Sequence, residues 1–148
     1  MTTPHSPRIA FWAAFSRVLP IAIFAQSFFA GVFLSGKIWG RDAHRMNATI
    51  LVTVTLIAGV VALITLRSIS NGKRLAFSML GLGVALLIQM MIGQAVANGE
   101  RLLWLHIPFG VAIIGFSAGL FDVARKLGTE PVRARERRQV AAPVRGER

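Results

Sequence analysis

Residues 102 to 124 read LLWLHIPFGVAIIGFSAGLFDVA, an apolar stretch with one histidine near its start and one acid near its end. As a helix it reaches about 34 Å, enough to cross ~30 Å of hydrocarbon. Backbone groups inside lipid must be paired within the segment, so a run of this kind predicts a helix. Three further apolar runs occupy residues 9–34, 46–66 and 75–95. They leave no length for a separate soluble domain, and a mean hydropathy of +0.60 agrees with that. The expected class is all-α: a four-transmembrane-helix up-down bundle, flanked by a polar leader (1–8) and a tail (125–148) onto which no structure is forced beyond its first residues.

The chain has no cysteine. Disulfides, zinc–thiolate sites, iron–sulfur clusters and thiol catalysis are therefore excluded. Tyrosine is also absent, so Trp12, Trp39 and Trp104 are the candidate interfacial aromatic anchors. The first run is too long for a cleaved signal's apolar core and no A-x-A signal follows, so it reads as a retained span. Within it Arg17 is expected to snorkel to the inner headgroups, and Pro20 to fall in the first turns of the buried part.

The net charge is +11, and eight of the seventeen Lys and Arg lie at or beyond Arg125. In a soluble protein such a tail would suggest nucleic acid; beside a span it reads as a cytoplasmic anchor that favours anionic lipid. The leader, Arg17, the connection Arg67–Arg74 and the tail carry thirteen basic residues, against four in the other two connections. The positive-inside rule then places both termini in the cytoplasm and the protein in the inner (plasma) membrane as a multi-pass chain.

This orientation sends spans one and three outward and spans two and four inward. His44, opening span two, and His106, early in span four, then share the outer leaflet with Gln26, Gln89 and Gln94. An ionisable group inside hydrocarbon is costly and is by default a functional site with a partner. In an up-down bundle helices two and four are diagonal, roughly 11–14 Å apart when neighbours are ~8–10 Å apart. Two imidazoles reaching inward leave space for one metal, and haem iron with two histidine ligands fits. The metal needs neutral imidazole, the form a low-dielectric site favours. Gly93 and Gly110 lie at the same depth and offer room for a porphyrin. The candidate metal ligands are thus His44 and His106, with Gln89 and Gln94 beside the cofactor. The alternative is a non-catalytic membrane subunit or scaffold with structural histidines. No mid-span acid supports a proton-coupled transporter, and no paired carboxylates, activated nucleophile or phosphate loop supports an enzyme.

Asp42-Ala43-His44-Arg45 at a span start, and Gln89-Met90-Met91-Ile92-Gly93-Gln94-Ala95-Val96 before a short loop leading to His106, resemble one half of haem A synthase. The likeness covers residues 41–118 and extends to small four-span bacterial membrane proteins with that half-fold. The enzyme has two four-helix halves, each with a histidine pair at the outer ends of its second and fourth helices. The resemblance implies His44 and His106 as axial ligands of a b-type haem, for electron transfer or haem handling. This chain supplies one half, so a homodimer would be needed to mimic the whole. Arg41 and Asp42 stand where the family carries its catalytic glutamate, and only Asp42 could serve. The implied partners are the bilayer and a second copy or another membrane protein. Haem binding carries over; haem A synthesis does not.

Overall fold

The computed structural model describes residues 6–128. The first residues of the leader and the tail beyond residue 128 lie outside the described residues. The described chain is all-helical: α1 (Pro7–Leu34), α2 (Ile38–Thr65), α3 (Gly72–Ala97) and α4 (Leu103–Arg125). Each helix is long and apolar enough to cross a membrane. Each packs on two others: α1 on α2 and α4, and α3 on α2 and α4.

The buried positions explain the packing. They fall at Trp12, Ser16, Leu19 and Ile23 on α1, and at Leu75, Met79, Leu82 and Leu86 on α3. On α4 they fall at Ile113, Ser117, Leu120 and Ala124. Alternating steps of four and three are the 3.5-residue period of knobs packed into holes. The outward faces are apolar too, with Phe24, Phe28, Ile57, Val84, Ile88 and Val111 all exposed. A helix that is apolar all round while only one stripe meets protein is suited to hydrocarbon.

The closest seam joins α2 to α3 through two reciprocal pairs. A Cβ on Gly59 would lie 2.7 Å from Leu80 Cδ2, and one on Gly83 would lie 2.6 Å from Leu56 Cδ2. Each leucine fills the space the opposite glycine leaves, which is how small residues let membrane helices approach. Gly81, two residues earlier on α3, has no such role, since a Cβ there would meet nothing.

Three details differ from the sequence expectation. Helix α2 begins at Ile38, not near residue 46, so the first connection shrinks to Ser35–Lys37. Gly40 lies buried inside this longer α2, where its missing Cβ lets the backbone of Phe33 pass. Helix α1 begins at Pro7 with Ser6 as its cap, so Pro20 sits well inside it. Proline at the first helical position costs no hydrogen bond, whereas Pro20 removes the donor that would bond the Ser16 carbonyl. Finally, Trp12 is not an interface anchor. It is 3% exposed, in the core, while Trp39 (54%) and Trp104 (71%) are exposed.

The end of the fold holding the α2–α3 connection is closed by hydrogen bonds to main-chain carbonyls. Asn71, with φ of 61°, donates from Nδ2 to the Lys126 carbonyl at 2.8 Å, and the Gly128 amide bonds the Ser70 carbonyl at 3.0 Å. The start of α1 reaches the same end, because Arg17 lies over Phe121 of α4.

Candidate functional site

Extending each inward stripe towards the opposite end leads to polar residues. On α1 the next position after Ile23 is Gln26; on α3 the positions after Leu86 are Gln89 and Gly93. On α4, stepping back from Ile113 gives Gly110 and His106; on α2, stepping back from Leu51 leads to His44. The interior register therefore continues through this layer, but apolar side chains give way to amides and imidazoles. Gln26, His44, Asn47, Gln89 and His106 are all half-buried.

The two imidazoles come from α2 and α4, which do not pack on each other directly. Their ring centres are 6.4 Å apart, with planes inclined at 66°. His44 Nδ1 lies 3.1 Å from the Gln26 carbonyl oxygen. A carbonyl only accepts, so Nδ1 of His44 carries a proton, and in the neutral tautomer that this bond selects the lone pair is on Nε2. Histidine ligands are usually held this way, through the ring nitrogen that does not face the metal.

His106 is held differently. Its ring lies over Gly93, where a Cβ would be 2.9 Å from Cε1. Gln89 donates from Nε2 to the His106 backbone carbonyl at 2.8 Å. A Cβ on Gly110 would come within 2.9 Å of that same Nε2. The two glycines therefore make room for the His106 ring and the Gln89 amide, not for a porphyrin. His106 Nδ1 and Gln89 Oε1 are buried without a hydrogen-bond partner among the described residues. Leaving such groups unpaired costs about 1–3 kcal/mol each, so buried polar atoms are normally paired.

The structure thus brings His44, His106 and Gln89 together and leaves Gln94 out. Gln94 is exposed; five residues beyond Gln89, it is turned about 140° around the helix. Asp42 is also outside the cluster, exposed and paired with Arg41 at 3.6 Å. Sequence reasoning missed Asn47, whose Nδ2 donates to Gln26 Oε1 at 2.8 Å and to the Ala22 carbonyl at 3.4 Å. The signal was available: Asn47 follows His44 by three residues and so shares its face. Among the described residues no cluster of three or more His, Cys, Asp or Glu is placed to hold a metal, so any metal here depends on the imidazole pair alone.

No family model, curated protein or solved structure matches this chain.

Proposed function

We propose that the chain is a multi-pass inner-membrane protein, an up-down four-helix bundle with both termini cytoplasmic. In this reading it binds a b-type haem between His44 and His106, for electron transfer or haem handling. The observation that carries the reading is the ring separation. With a metal–nitrogen bond of about 2.0–2.1 Å and the ring centre roughly 1 Å behind the nitrogen, two imidazoles on opposite sides of one metal have centres about 6 Å apart. The 6.4 Å between these rings lies close to that spacing. The free Nε2 of His44 and the unpartnered Nδ1 of His106 supply the lone pairs. Neutral imidazoles on two helices of a bundle are a common way to hold haem iron. When bound, haem would supply one-electron chemistry; the chain's part is to hold the two nitrogens and exclude water from the layer between them.

A second reading, a membrane subunit or scaffold with structural histidines, is favoured by one observation. The space over Gly93 and Gly110 is already filled by His106 and Gln89. The two readings separate on a visible spectrum of the protein purified in detergent with added haem. Haem ligation gives a Soret band that is lost or displaced in His44→Ala and in His106→Ala. Absence of the band, or a band indifferent to His106→Ala, leaves the scaffold reading.

A further inference from the structure

At the opposite end of the fold, Arg17 of α1 and Arg125 of α4 share one aromatic ring. Their guanidinium carbons lie 5.2 Å and 5.7 Å from the centre of Phe121. Beside them a crevice of about 140 Å³ opens between the two helices, walled by Ile9, Ala13, Ala124 and Leu127. Two like charges held on one ring repel each other, and the carboxylate at hand relieves this little. Asp122 is 3.9 Å from Arg125, and both side chains are mostly exposed. Exposed pairs of that kind are weak. Arg8, Arg67, Lys73 and Arg74 belong to the same end of the fold, which is therefore strongly basic.

The geometry points to a binding site for the phosphate of an anionic phospholipid headgroup between Arg17 and Arg125. Arg17 and Arg125 both line the crevice, so two helices offer guanidinium forks to one phosphate there. An anion between them also removes their mutual repulsion. The apolar walls of the crevice exclude water from one side of the bound group. Basic pockets between membrane helices at headgroup level select anionic lipid in this way. The site is remote from the histidine layer and does not depend on haem; it requires only that the chain lie in a bilayer.

Native mass spectrometry tests it, on the full chain exchanged into mixed micelles containing phosphatidylglycerol and phosphatidylcholine. Phosphatidylglycerol is expected to be retained in preference, and Arg17→Gln or Arg125→Gln to lower its retention roughly fivefold each. Arg67→Gln, at the same end but away from the crevice, is expected to leave retention unchanged. Arg17→Lys keeps the charge and loses the planar fork, so an intermediate loss is expected with an unaltered melting temperature. Retention indifferent to Arg17 and Arg125, or equally sensitive to Arg67, overturns the site. Displacement of the lipid by millimolar inorganic phosphate overturns the lipid as its occupant and makes it a site for free phosphate.

Discussion

Gly93→Ala puts one methyl group where the His106 ring now lies. The new carbon would sit 2.9 Å from Cε1, roughly 0.6–1 Å inside the 3.5–4.0 Å at which carbon atoms rest. To make room the ring must turn about its side-chain torsions, because only the backbone of its residue is tied to α3. Overfilling of this kind costs about 1–3 kcal/mol. Exchanging glycine for alanine inside a helix returns about 0.8–1 kcal/mol of intrinsic propensity. A control removes that second contribution: a Cβ on Gly115, also within a helix, would meet nothing. The expected result is that Gly115→Ala melts at or above the wild-type temperature and Gly93→Ala below Gly115→Ala. The difference between the two variants, about 1–3 kcal/mol, is the cost of moving the ring. Thermal unfolding in a mild detergent, followed by circular dichroism, measures it. Equal stability of the two variants would show that the ring does not rest on Gly93, and the 6.4 Å pairing with His44 would lose its support.

Three other substitutions test the architecture in the same unfolding assay. Gly40→Ala would place a carbon 2.6 Å from the Phe33 backbone nitrogen, where no side chain can rotate away, so it should cost more than Gly93→Ala. Asn47→Leu leaves Gln26 Oε1 without its donor and should cost about 1–3 kcal/mol; no measurable loss would place the pair in water. Trp12→Ala should cost about 3–5 kcal/mol, as removal of a core aromatic does, whereas Trp104→Ala should be close to neutral; the reverse order would return Trp12 to the interface.

The four spans were legible because length and unbroken apolarity suffice to define them. The start of α2 was not: SGKIWGRDAHR carries two glycines and four charges, and composition alone reads it as a loop. What overrides that signal is tertiary, since Gly40 sits where the end of α1 passes too close for any side chain. Trp12 shows the same limit. Tryptophan suits an interface, but Trp12 begins the series 12, 16, 19, 23, and that spacing is a core stripe. Carrying the same spacing forward would also have separated Gln89 from Gln94 and pointed to Gln26. The shared depth of the two histidines followed from the order of the spans. Their approach to 6.4 Å did not, because it depends on side-chain geometry: the place Gly93 leaves for the His106 ring and the bond that holds the His44 ring to α1.

The attachment points of the histidine layer have a mechanical meaning. His44 is tied by its ring to a main-chain oxygen of α1, and the main-chain oxygen of His106 is tied to an amide of α3. The first tether ends on the backbone of α1; the second comes from the Gln89 side chain and holds the backbone of His106, not its ring. A guest that displaces the His44 ring must therefore break its bond to α1 or pull on that helix, whereas the His106 ring can swing with its backbone tether to α3 intact. Conversely, a slight slide or tilt of either helix, imposed by bilayer thickness or by a neighbouring protein, would reset the gap between the two nitrogens.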